Sequence, residues 1–392
     1  MTGPAPADPP RIAFVWAQFG PYHLDRLAAV KRRLRDRAAI VGVEIAQRSD
    51  SYAWASTERA DAGERRVLFP GRNADAIGMV RLVPALWQAL RDCDLILLGL
   101  ASSDPAIAAL AAALRMTGKR VYFSSDSKAD DYKRSAVGEF AKRILLQAYH
   151  GGIIAGSRSM AYYLSLGVAA DRLHPGYDTV ETGRVRKLAE GNAGRDFDTR
   201  PFLYLGRFVA KKNLPMLIRG YAEYICAGGT RRLVMAGSGG LETDLRFLAD
   251  ELNVASLIEW PGFLDPQASA TQLARSLALL LVSSEEQWGL VVNEAFAVAR
   301  PAIVSAQVGA CDLLVRNGQN GYILPEGFGP HDLGRAMLAI GGDEARWKQL
   351  SNAARDRAWY GDVERFADTV ELLVNPSAQP ARRDLRRLLD AF

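Results

Sequence analysis

Cysteine is scarce: there are three in 392 residues, Cys93, Cys226 and Cys311, with no CxxC pair among them. Such spacing supports neither a disulfide framework nor a thiolate zinc site, and it fits a reducing compartment. Long hydrophobic runs are missing too, for no apolar stretch approaches the roughly 20 residues that span a bilayer. The opening Met-Thr-Gly-Pro-Ala-Pro-Ala-Asp-Pro-Pro has no apolar core and reads as a flexible leader rather than a signal peptide. These absences point to a cytoplasmic protein.

What is present is ordinary in kind. At 49% hydrophobic and 24% charged residues the composition is that of a globular protein, and 392 residues exceed one core, so two domains are expected. Charge is uneven. Residues 1–190 hold 27 Lys and Arg against 20 Asp and Glu, net +7, and the remainder 22 against 24, net −2. A basic first half suits either a solvated face or a surface that meets anionic lipid or a polyanionic acceptor; nothing points to nucleic acid.

The first half alternates strand and helix, the rhythm of a parallel α/β sheet. Arg11 to Ala17 reads as a strand entering a helix, about Leu24 to Arg37, through Gln18-Phe19-Gly20-Pro21-Tyr22-His23. Gly20 lets the backbone approach a ligand there. The basic run Lys31 to Arg37 closes that helix, where cations meet the negative end of its dipole; docking on a membrane is the alternative. Strands are expected over Ala39 to Ile45, Asp94 to Gly99 and Arg120 to Ser124, with helices over Ala76 to Arg91 and Asp104 to Arg115. Asp92-Cys93-Asp94 stands at a strand's entrance and reads as a loop, as does Asp196-Phe197-Asp198. The loop Ser124 to Asp131 leaves a strand at its carboxyl end and carries Asp126, Lys128, Asp130 and Asp131. Asp126 there either meets a substrate or, like Asp130, caps the next helix. That helix, Tyr132 to Tyr149, sets Lys133, Arg134, Lys142 and Arg143 beside Phe140, Ile144, Leu145 and Leu146, a stripe that serves as core or lies on an anionic membrane.

Residues 183–200 read as a linker. Phe202-Leu203-Tyr204-Leu205 then opens a second sheet, and Arg207 and Lys212, five apart across the following turn, would converge on an anion. Leu233 to Gly240 is a strand with a glycine-rich turn at Gly237, without the Lys-Ser/Thr ending of a Walker loop. The most informative stretch runs from Ala278 to Val304: a buried strand, the polar loop Ser283 to Gly289, a helix from Leu290 to Ala299, and a stop at Pro301. Free amides at that helix's start make an anion site fit for a diphosphate, with Glu294 placed for ribose hydroxyls and Glu286 for hydroxyls beyond the phosphates.

Glu286, seven residues, Glu294, with Trp288-Gly289-Leu290-Val291 between and Asn293-Glu294-Ala295-Phe296-Ala297 across the second Glu, resembles the signature of family 4 retaining glycosyltransferases. The resemblance covers most of the chain and is strongest over 201–325. It implies a GT-B fold, two Rossmann-like doubly wound domains facing across a cleft, with the nucleotide sugar in the second. It assigns donor binding to Arg207, Lys212, Gly237, Glu286, Trp288, Gly289, Leu290 and Glu294, and the acceptor side to Gly20 and His23. Asp126 stands where the family has a histidine near the anomeric centre, Gly20 is a single glycine where a pair is usual, and Arg300 replaces a glycine before the proline.

The reading is thus a retaining, metal-independent glycosyltransferase of hexosyltransferase type. It takes a UDP- or GDP-sugar, needs no further cofactor, and passes the sugar to a hydroxyl acceptor in polysaccharide or glycolipid assembly. Glu286, Asp126, Arg207 and Lys212 form its catalytic set. Residues 1–182 form the acceptor-side domain, 183–200 the linker, 201–360 the donor domain, and 361–392 a last helix returning towards the first domain. The protein is cytoplasmic or peripheral at the membrane's inner face. Its rivals are a nucleotide-sugar epimerase of the same fold and a noncatalytic nucleotide-sugar-binding subunit.

Overall fold

The computed structural model describes residues 8–49, 60–191, 194 and 196–375. Most of the expected leader, the basic tail Ala381 to Phe392, and residues 192, 193 and 195 of the expected linker lie outside them. The chain divides into two compact units. Among the described residues the first runs to Ser127, resumes at Lys133–Thr179 and takes in residues 363–375; the second holds Lys128–Tyr132 and those of Val180–Asp362.

The first unit contains β1 (Arg11–Trp16), α1 (Pro21–Leu34), β2 (Ala39–Glu44), β3 (Glu64–Val67), α2 (Met79–Leu90) and β4 (Leu95–Leu98). It continues with α3 (Pro105–Met116), β5 (Arg120–Ser125), α4 (Ala136–Leu145), β6 (Gly151–Ile154), α5 (Ser157–Ser165) and β7 (Leu173–Pro175). All seven strands pair in parallel, in the order β3-β2-β1-β4-β5-β6-β7. Parallel strands are covered on both faces, and β1 shows it. Ala13 and Val15 pack into a core with Leu86 and Leu110, whereas Ile12, Phe14 and Trp16 enter the opposite core with Leu27 and Phe366.

The second unit contains α6 (Thr182–Ala189), β8 (Phe202–Leu205), α7 (Leu214–Cys226), β9 (Leu233–Ala236), α8 (Glu242–Glu251), β10 (Ile258–Gly262) and α9 (Pro266–Arg275). After these come β11 (Ala278–Leu281), α10 (Leu290–Ala297), β12 (Ala302–Ser305), β13 (Gly321–Leu324), α11 (Pro330–Gly341) and α12 (Glu344–Arg357). Six parallel strands follow the order β10-β9-β8-β11-β12-β13. The last helix, α13 (Val363–Val374), belongs to the first unit, where it packs along α1.

In each sheet the strand order reverses once, between β1 and β4 and between β8 and β11. Ligands of such sheets collect outside the carboxyl ends of the strands at that reversal. The loops after β1, β8 and β11 are therefore the ones the topology singles out.

Two expectations give way within the first unit. The basic run ending α1 is not an open patch: Arg33 pairs with Asp368 and with Glu364 (2.7 Å), Arg37 with Glu371 (2.7 Å), and Arg32 with Glu364 (3.2 Å). These carboxylates raise the Arg33 pKa above its ordinary value against the opposing effect of burial. The helix expected from Tyr132 begins instead at Ala136. Its cap is Ser135, whose hydroxyl accepts the Gly138 amide (3.1 Å), rather than Asp126 or Asp130. Its apolar stripe divides: Leu146 is buried in the core with Leu145 packed against it, but the outer part is not core. Lys142 turns inward, donating to the Tyr162 hydroxyl (3.1 Å), while Val137, Phe140 and Ile144 are 82%, 65% and 57% exposed.

Candidate functional site

The second unit gathers its candidate residues on two loops that are stitched together. Ser284 donates its amide (2.9 Å) and its hydroxyl (3.2 Å) to the Lys211 carbonyl, joining the loop after β11 to the turn after β8. Across that seam Lys212 donates to the Glu286 carboxylate, which also accepts the Ser283 hydroxyl (3.0 Å). Ser283 in turn is fixed by its own carbonyl, which accepts from Ser305 (2.5 Å). Arg207 is exposed, and its carbonyl accepts the buried Tyr204 hydroxyl (2.8 Å). Burial first, and then the negative charge of Glu286, raise the Tyr204 pKa, while Arg207 opposes them. Tyr204 is thus an uncharged anchor beneath the charged residues.

The main chain of Glu286 is held as firmly as its side chain. Its carbonyl accepts the Gly309 amide (3.2 Å) and the Lys128 ammonium (2.9 Å). Trp288 is buried, its indole N–H donating to Asn293 Oδ1 (2.9 Å), and the Asn293 amide passes on to the Gly361 carbonyl (3.0 Å). Gly289 then turns the chain at φ 99°, in the left-handed region, where an added Cβ would meet Leu281 Cδ2 at 2.8 Å. Leu290 starts α10 immediately afterwards, and no side chain caps it. The Val292 amide turns back to the Gly289 carbonyl (2.9 Å), and the leading amides of Leu290 and Val291 lie at the positive end of α10, where an anion is favoured. Glu294 lies one turn further on, partly buried.

Gly237 ends β9 beside β8. It sits at φ 138°, its amide donates to the Gly262 carbonyl (2.8 Å), and a Cβ would run into the Gly206 carbonyl, so only glycine leaves the two strand ends this close. Arg300, which stands where the resembled signature has a glycine, has no place among these groups. It is buried before β12, its guanidinium 5.2 Å from the Trp347 ring, with Arg200 5.0 Å from the same ring. Burial and the neighbouring Arg200 hold the Arg300 pKa below its ordinary value.

In the first unit Gly20 and His23 follow β1. The Gly20 amide donates to His23 Nδ1 (3.1 Å), which closes the first turn of α1. The imidazole keeps part of its surface exposed, yet it lies 4.5 Å from the Trp16 ring, and desolvation with the nearby Arg26 holds its pKa well below the usual histidine value. His23 is a neutral residue near pH 7. Asp126 follows β5, two strands away, with its carbonyl accepting the Ser159 hydroxyl (3.2 Å). Tyr177 accepts the Trp16 indole N–H (3.3 Å), and its pKa is raised chiefly by burial, with the charges of Asp178 and Asp126 adding to it. Asp92 and Asp94 are spent on structure: Arg66 chelates Asp92 at 3.0 and 3.1 Å and lowers it to about 2, and Asp94 accepts the Arg11 amide (2.8 Å). Among the described residues no His, Cys, Asp and Glu group is placed to hold a metal ion.

Sequence reasoning passed over Ser283, Tyr204, Trp16 and Tyr177, and treated Lys128 only as part of a charged loop. Ser283 and Tyr204 had a signal, as polar groups at or beside the carboxyl ends of buried strands.

Residues 190–357 match the family model described as "Glycosyl transferases group 1". The alpha-D-kanosaminyltransferase of Streptomyces kanamyceticus is 27% identical over 40% of this chain and 41% of its own. The D-inositol 3-phosphate glycosyltransferase of Thermobifida fusca is 30% identical over 49% and 46%. The chain thus spans less than half the length of these curated relatives. Anabaena HepE, solved in complex with UDP, superposes with a TM-score of 0.72 at 16% identity, over 94% of this chain and 100% of that one. The two parallel α/β units thus have the GT-B fold, and within the second of them residues 190–357 are similar to the group 1 glycosyl transferases.

Proposed function

We propose that this protein transfers a sugar from a nucleotide diphosphate donor to a hydroxyl acceptor, with retention at the anomeric carbon, as a family 4 enzyme of hexosyltransferase type. The observation that carries the reading is the meeting of Lys212, Glu286 and the uncapped start of α10 outside the reversal between β8 and β11. The second unit is the donor side and the first the acceptor side. HepE is crystallised with UDP and with UDP-glucose, which favours a UDP-sugar over a GDP-sugar.

In this reaction the bond from the anomeric carbon to the diphosphate breaks, a bond to the acceptor oxygen forms on the same face, and the acceptor's proton passes to the departing phosphate. The residues' task is electrostatic: Arg207, Lys212 and the α10 amides stabilise the charge that develops on the diphosphate, with no metal ion required. Glu286 meets the sugar's hydroxyls, Glu294 the ribose, and Gly237 gives the base a close approach; Trp288, Gly289 and Leu290 shape the turn. Gly20, His23 and Asp126 face the acceptor, and no residue is assigned as general base.

The acceptor is a lipid-linked or polysaccharide glycan, and the protein is cytoplasmic with a peripheral contact at the membrane. No described helix is long and apolar enough to cross one. The exposed stripe of α4, flanked by exposed Lys133 and Arg143, supports that contact.

Thermal shift with UDP-, GDP- and dTDP-sugars, followed by product analysis, tests the proposal. A donor at 100 times its Kd should add about 2.7 kcal/mol of stability. No shift with any nucleotide sugar would overturn the reading. An epimerised donor would favour an epimerase of this fold, and binding without turnover a noncatalytic subunit.

A further inference from the structure

Lys128 is 2% exposed, and the second unit holds it together with residues 129–132, although the flanking residues Ser127 and Lys133 belong to the first. Its ammonium donates to the Asp131 carboxylate and to the carbonyl of Glu286 (2.9 Å), and its own amide donates to Asp131 Oδ2 (2.7 Å). Asp131 is likewise buried. A buried ion pair adds little net stability, because desolvating both ions offsets their attraction. What this pair does supply is direction: Asp131 neutralises the ammonium and orients it, and one of its three protons is aimed at a main-chain oxygen.

That oxygen belongs to the residue whose carboxylate is held from the other side by Lys212 and Ser283. Glu286 is therefore gripped at both ends, the main chain by Lys128 and the side chain by Lys212. Breaking the first grip leaves the carboxylate paired but its carbonyl with the Gly309 amide alone (3.2 Å), so the peptide that carries it is held less firmly.

We propose that Lys128, with Asp131 as its counter-ion, is a positioning residue that fixes the Glu286 main chain, so that the loop recognises the sugar of a nucleotide sugar over and above its diphosphate. The inference rests on the donor-site reading above and adds to it a residue 158 positions away from Glu286 in sequence. A residue that only stiffens the fold would weaken nucleotide and nucleotide sugar alike. One that positions Glu286 weakens the nucleotide sugar alone.

The single change Lys128→Met strands a buried carboxylate, so the informative variant is Lys128→Met with Asp131→Leu, which removes both charges together. In the ligand-free protein, amide exchange over residues 283–289 should quicken by tenfold or more in this double variant while the strands keep their protection. UDP and UDP-glucose affinities, measured by calorimetry, should separate: UDP within about twofold of the parent, UDP-glucose weaker by at least tenfold. Unchanged exchange over 283–289 would overturn the proposal, as would equal losses for the two ligands. If the parent protein binds neither ligand, the donor-site reading fails, and the exchange result still decides whether Lys128 holds this loop.

Discussion

Lys212 donates directly to the Glu286 carboxylate, so the cation proposed to receive the diphosphate and the carboxylate proposed to meet the sugar form one ion pair. Neither group acts alone. Lys212→Ala leaves Glu286 with Ser283 and removes charge from the diphosphate site, whereas Glu286→Gln frees the ammonium while keeping a hydrogen-bonding side chain. The effects of the two changes on UDP-glucose affinity should deviate from additivity by about 0.5–3 kcal/mol, the usual range for residues in contact. A double-mutant cycle by calorimetry measures this, and a coupling indistinguishable from zero would show that the pair does not work as a unit.

His23 gives a pH dependence with a definite sign. Its folded-state pKa lies well below the 6.5 of the unfolded chain, so below about pH 6.5 the unfolded state takes up a proton that the folded state refuses. Stability is intact above that pH and falls as the medium is acidified, by at most about 1.4 kcal/mol per pH unit for one group. His174 and His150, both lowered chiefly by burial, act in the same direction. Gln at position 23 retains an acceptor for the Gly20 amide but does not titrate. Urea unfolding of His23→Gln at pH 5, 6 and 7.5 should therefore show a shallower acid slope than the parent; parallel slopes would mean that His23 is protonated in the folded protein.

The outward stripe of α4 predicts a lipid contact that changes in this helix alone remove. Phe140→Glu with Ile144→Glu should abolish co-sedimentation with vesicles rich in phosphatidylglycerol and leave the melting temperature within about 2 °C, since both side chains already face solvent. Equal sedimentation of parent and variant would place any membrane contact elsewhere.

The strands were legible because parallel strands buried on both faces are written as unbroken apolar runs, such as Leu95–Leu98 and Ala278–Leu281. The turn before α10 was legible because its glycine and its two flanking glutamates are local. What the sequence hid was pairing at a distance and the choice of face. Periodicity shows that α4 has an apolar stripe but not that Tyr162 draws Lys142 inward and turns Phe140 out. Lys128 looked like one charge in an acidic loop because its acceptor lies far along the chain. The basic end of α1 looked free for the same reason, although Glu364, Asp368 and Glu371 are spaced in sequence as one helical face and so carried a signal.

The place of α13 bears on how the molecule is made. Phe366, Ala367 and Val370 complete the same core as Phe14, Leu27 and Val30, yet they follow the whole second unit in the chain. During synthesis from the N-terminus, the β8–β13 sheet and its helices have fully emerged from the ribosome before the first unit receives its closing helix. The earlier-made half is thus the later to mature, and until Val363–Val374 arrives the sheet face that it shares with α1 is covered only in part and open to chaperones.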